Sequence, residues 1–148
     1  MSIKTKRWND ETEPDDGYRL LVCRHRPRGV RKEDEPWDAW CTALAPSAEL
    51  VARYYGKRGE PPSWETYRAL YLEEMSARSF YLEGFAAQVA RGEMLTLLCS
   101  SACTDATHCH RTVLAELLEA RVAAILTPAR TESPRWTRGR ESPSRRRP

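Results

Sequence analysis

Apolar positions along the chain recur with two different periods, and each change of period marks a new element. Residues 3–7 form a short strand candidate. Residues 10–17 hold no apolar side chain and carry Pro14 and Gly17, which predicts a surface loop. Tyr18-Arg-Leu-Leu-Val-Cys23 is a short apolar, partly β-branched run, as expected of a strand covered on both faces. Pro27 and Gly29 stop it, because neither suits a central strand or a helix interior. From Trp37 the spacing of Trp37, Trp40, Cys41 and Leu44 predicts a helix as far as Pro46. Ser47 then caps another through Tyr55.

Ser63 caps a helix whose apolar stripe is Trp64, Tyr67, Leu70, Tyr71 and Met75, and a further helix carries Tyr81, Phe85 and Val89. Both stripes are assigned to core packing, since a surface helix must bury one face. Residues 94–99 are the clearest strand, and a polar loop over 100–108 follows. The next helix buries Val113, Leu114, Leu117 and Leu118, and residues 122–126 read as a last strand. This order predicts an α/β fold: a short, mostly parallel sheet covered by helices in a Rossmann-like three-layer arrangement. The domain spans residues 1–126.

Residues 127–148 hold four prolines, seven arginines and a single large apolar residue, Trp136, which predicts a disordered Arg/Pro/Ser-rich tail. That tail carries +5 of a formal charge of +3 for all 148 residues, leaving the body at −2. A mildly acidic globule is not a nucleic-acid-binding surface, so any contact with DNA or RNA belongs to the tail. No apolar run approaches the roughly 20 residues that span a bilayer, and the first residues lead into no signal-peptide segment, so a cytoplasmic location is expected. Five cysteines, an odd number outside any disulfide-scaffold spacing, are read as reduced thiols.

Candidate chemistry concentrates in the two loops that follow the strong strands, because ligands of open α/β sheets gather outside the carboxyl ends of strands. The first loop carries Arg24, Arg26, Arg28, Arg31 and Lys32, whose forked guanidinium groups suit carboxylate or phosphate oxygens. The second leads into Cys109-His110-Arg111. There a helix start favours thiolate at Cys109, His110 is a proton carrier, Arg111 is an anion anchor and Ser100 is a hydroxyl donor. A tyrosine-phosphatase loop is excluded: it needs five residues between cysteine and arginine, and the fifth residue between is followed by Asp105 after Cys99 and Cys109 after Cys103. Cys99, Cys103, His108, Cys109 and His110 are all zinc-ligand types, but they contain no CxxC pair, so no metal and no cofactor is assigned from spacing.

Several separated motifs, Lys6-Arg-Trp-Asn-Asp10, Asp16-Gly-Tyr-Arg-Leu-Leu-Val22, Pro27-Arg28-Gly29, Leu44-Ala-Pro-Ser47-Ala-Glu49-Leu50 and Leu95-Thr-Leu-Leu98, resemble the YeaO-like family of uncharacterised bacterial proteins. The resemblance runs over about residues 4–126. It implies an α/β fold and a bacterial cytoplasmic setting, and brings no established activity. Cys109-His110-Arg111 is similar to the Cys-His-Arg segment of the wider domain-of-unknown-function family 488, where it also opens a helix.

These observations define a leading expectation: a pocket at the strand ends for a small anionic ligand, a nucleotide or phosphorylated metabolite. Arg24, Arg28, Arg111 and Ser100 bind it, and Cys109 and His110 are the catalytic residues if the protein is an enzyme. The competing expectation is a non-catalytic nucleic-acid-associated protein that uses its basic tail.

Overall fold

Two uninterrupted apolar runs become the centre of the sheet. In the computed structural model, which describes residues 3–127, β2 (Tyr18–Leu21) and β4 (Leu95–Cys99) lie side by side. They are flanked by β1 (Ile3–Arg7) and a two-residue β3 (Ala39–Trp40). The order is β1-β4-β2-β3 and every pairing is parallel. All five residues of β4 are buried, as a central parallel strand requires. The edge strand β1 carries Lys4 and Lys6, charges that discourage pairing with another chain.

Four helices pack together on one face: α1 (Ala48–Tyr54), α2 (Trp64–Met75), α3 (Ser79–Ala90) and α4 (His110–Leu126). Ser47 and Ser63 cap α1 and α2, each hydroxyl accepting a backbone N–H three residues on at 3.1 Å. Leu50, Tyr71, Leu82 and Leu118 meet Leu20 and Leu97 of the sheet, with Val22 just after β2, in one core. The other face is covered by loops, where Trp8 and Trp37 meet edge to face at 6.0 Å over Leu21 and Leu98. The sheet therefore lies between a helical layer and a loop layer.

Nearer the start of the strands, the buried Asp16 pairs with Lys4 at 2.6 Å, Lys6 at 2.9 Å and Arg19. The turn that places it depends on Gly17, whose φ is +65° and whose missing Cβ would lie 2.3 Å from the Met94 carbonyl oxygen.

Three local expectations are corrected. Residues 37–44 are not a helix: Ala39–Trp40 pairs with Leu20 and Leu21 as β3, and a 3-10 turn, Thr42–Leu44, follows. The spacing of Trp37 and Trp40 comes instead from one ring entering the loop-side core and the other donating its indole N–H to the Cys23 carbonyl at 2.8 Å. Residues 122–126 are the last turns of α4 rather than a strand, since nothing in the sequence breaks the helix before Thr127 and no sheet edge receives them. In α3 the buried stripe is Leu82, Ala86 and Val89, with Tyr81 exposed, because α3 lies against α4 through the neighbouring face.

Among the described residues no helix is long and apolar enough to cross a membrane. The tail expectation, and with it any nucleic-acid contact of the tail, falls on residues 128–148, outside the described residues.

Candidate functional site

The central strands β2 and β4 send their chains in opposite directions. After β2 the chain moves to β3, whereas after β4 it enters α4, which packs over β1 and β4. Adjacent parallel strands that diverge in this way leave a crevice at their carboxyl ends. A cavity of about 340 Å³ opens there. Its floor is Cys23 and Arg24 after β2, Cys99 and Ser100 at the end of β4, and Cys109 and His110 at the start of α4; Tyr54 of α1 and Tyr67 of α2 form the wall.

The Sγ atoms of Cys99, Cys103 and Cys109 all lie within 4.8 Å of one another. Cys99 and Cys103 are in sulfur contact at 3.3 Å. Local structure explains the convergence. Cys99 is the last strand residue, and Asp105 turns the following loop by accepting the Thr107 N–H at 3.0 Å, which opens the 3-10 turn Ala106–His108. Cys109 then caps α4 in extended conformation, its side chain packed in the loop-side core.

Cys99 and Cys109 are buried, while Cys103 is half-buried in the loop. Interaction with the Cys109 thiol first, then the Cys99 thiol, holds Cys103 well below the ordinary thiol range, with the Arg111 charge adding to the effect. The same interaction with Cys103 pushes Cys109 up to about 12 and Cys99 well above its usual value. Burial pushes the Cys23 thiol up to about 11.

His110 is fully inside the protein, and burial lowers its pKa, favouring the neutral ring. Its Nε2–H donates to the Val22 carbonyl oxygen at 2.7 Å, which leaves Nδ1 without a proton, 3.9 Å from Cys99 Sγ. His108, at the rim, bonds Asp105 at 2.8 Å and meets the Trp64 ring edge to face.

Of the residues singled out from sequence, Arg24, Ser100, Cys109 and His110 come together around this cavity; Arg28 and Arg111 are not part of its lining. Arg24 spends two of its N–H groups on the carbonyls of Pro46, at 2.8 Å, and Thr42, at 3.0 Å. Ser100 Oγ accepts the Ala102 N–H at 3.1 Å. Arg28 is exposed on the outer turn. Arg111 is buried behind the sulfurs, and its Nε and Nη1 have no hydrogen-bond partner. Sequence reasoning missed Cys23 and Tyr67 as cavity residues and undervalued Cys103. The signal for Cys103 was its place among five Cys and His residues within twelve positions; Cys23 and Tyr67 gave none, since they arrive by tertiary contact.

A parallel α/β sheet with a sulfur-rich cavity at its switch point defines the class of protein. The chain belongs to the YeaO-like DUF488 family: the family model described as "Active DUF488-N3 subclade" matches residues 3–122. It is 39% identical over 119 residues to the uncharacterized protein YeaO of Escherichia coli, covering 80% of this chain and 97% of that one. It is 31% identical over 125 residues to the uncharacterized protein Rv3073c of Mycobacterium tuberculosis, covering 80% of this chain and 95% of that one. No solved structure matches the chain.

Proposed function

We propose that the cavity binds a small anionic ligand, a nucleotide or phosphorylated metabolite, and that the sulfur cluster performs thiol chemistry on it. One observation carries this reading: the loops after β2 and β4 meet at the amino end of α4 around a single cavity large enough for a small molecule. Arg24 supplies positive charge on one side, and Ser100 with the first amides of α4 supplies donors on the other. The buried guanidinium of Arg111 adds positive potential from behind. Its Nε and Nη1 have no hydrogen-bond partner, so an anion nearby stabilises the site.

Within this reading the reacting sulfur is Cys103 rather than Cys109, because Cys103 is the more exposed of the cavity-lining trio. His110 holds the proton balance of Cys99 through Nδ1. A melting-temperature screen of the reduced full chain against inorganic phosphate, nucleoside monophosphates and sugar phosphates tests the reading. A ligand that raises the melting temperature of the wild type, and loses that effect in Arg24→Gln and Ser100→Ala, supports it. Stabilisation that survives both substitutions, or none from any anion, refutes it.

A further inference from the structure

All three histidines and four of the five cysteines of the chain line this one cavity: His25, His108 and His110 with Cys23, Cys99, Cys103 and Cys109. We propose that Cys99, Cys103 and Cys109 form a binding site for a thiophilic d10 metal cation, Zn2+ in the first instance, with His110 beside it as the nitrogen donor. The proposal does not depend on the anionic ligand.

Geometry supports it first. Zinc bonds sulfur at about 2.3 Å, so the edges of a tetrahedral thiolate site are about 3.8 Å. The three sulfurs bracket that value: one pair is at 3.3 Å and all three fall within 4.8 Å of one another. Each lies on a different support, a strand end, a loop and a helix cap, so the loop sulfur of Cys103 can adjust while the other two stay fixed.

The tautomer of His110 is the second, independent observation. An imidazole that ligates a metal through one nitrogen donates its other N–H to a carbonyl or carboxylate, which fixes the ring. His110 has this arrangement without any metal: Nε2–H is held by the Val22 carbonyl, and the bare Nδ1 is fully buried and turned toward Cys99 Sγ. A thiol at 3.9 Å is a weak partner for a buried lone pair. A cation placed among the sulfurs is a better one.

Charge supplies the third argument. A divalent cation permits three thiolates and leaves one net negative charge on the cluster. The Arg111 guanidinium, buried behind it with Nε and Nη1 unpartnered, offsets that charge. The spacing Cys-x3-Cys-x5-Cys-His contains no CxxC pair, so the site is invisible to motif reading; it is assembled by the strand end and the helix cap.

The test uses the full chain, reduced and stripped with a chelator, titrated with Zn2+ against a chromophoric competitor, and with Co2+ for its thiolate-to-metal charge-transfer band. One equivalent of tight binding is expected, with a band of thiolate intensity. Cys103→Ser and Cys109→Ser each weaken it by more than about tenfold, and His110→Gln by about tenfold. Cys41→Ser, outside the cavity, leaves it unchanged. Cys103 stands in a half-buried loop, so its variant decides the matter if Cys109→Ser fails to fold. Absence of tight binding, or binding and charge-transfer intensity unchanged in Cys103→Ser, overturns the proposal. Metal binding without any response to anionic metabolites leaves this inference standing and removes the ligand reading.

Discussion

His110 Nε2 donates to the carbonyl oxygen of Val22 at 2.7 Å, tying the first residue of α4 to the chain leaving β2. Val22 N–H in turn donates to Leu98 O at 2.9 Å, so one short path connects helix, β2 and β4 beneath the sulfur cluster. Removing the ring leaves a buried carbonyl unsatisfied, which costs about 1–3 kcal/mol. His110→Ala is therefore expected to lower the urea midpoint with an unchanged slope. His110→Gln, which keeps a donor, recovers part of the loss, and equal loss in both variants argues that packing against Tyr71 matters more than the hydrogen bond.

Exposure ranks the thiols. In the reduced, metal-free full chain, brief alkylation followed by peptide mass analysis is expected to label Cys103 and Cys41, both half-buried, ahead of the buried Cys23, Cys99 and Cys109. Excess Zn2+ protects Cys103 and leaves Cys41 open. Equal protection of both cysteines would show that the effect is not seated at the cluster.

Acid stability is expected to depend on Asp16. Burial by itself raises its pKa, but hydrogen bonds from Lys4, the Glu13 backbone and Lys6 outweigh burial and hold the carboxyl well below its usual value. Because the folded value is depressed, its contribution is complete above the unfolded pKa of about 3.9 and is lost as the pH falls from there toward the folded value. Stability measured between neutral pH and strong acid should therefore fall less steeply in Asp16→Asn than in the wild type. At neutral pH the variant itself is weaker by about 3–5 kcal/mol, since Arg19 and Lys6 lose a buried partner.

Gly17 admits no side chain. A Cβ there meets the Met94 carbonyl oxygen at 2.3 Å, and the φ of +65° already disfavours L residues. Gly17→Ala is expected to cost more than about 1–3 kcal/mol, seen as a lower melting temperature. Gly29→Ala, also at positive φ but in open space, costs less; a reversed order would remove the role assigned to the close approach at Met94.

The periodic parts of the chain announced themselves. β2 and β4 are legible because a strand buried on both faces must be apolar throughout, and α1 and α2 because Ser47 and Ser63 precede apolar stripes at helical spacing. Residues 37–44 misled because Trp37, Trp40 and Leu44 are spaced like a helix, although their partners are Trp8, the Cys23 carbonyl and the helical core. The site was half legible. Loops after strands mark where a pocket forms, but they do not say that Arg28 points outward, that Arg111 is buried, or that Cys103 reaches Cys99.

By itself the sequence determined the α/β class, the central strands, the helix starts and the family, because these follow from local periodicity, capping side chains and motif order. Tertiary structure alone decided the strand order, the β3 pairing and the gathering of four cysteines and three histidines around one cavity. The reason is physical: periodicity records which face of an element is buried, whereas the contacts of Cys23 and His110 with the Cys99 region are set by how separate elements dock, and no local pattern carries that information.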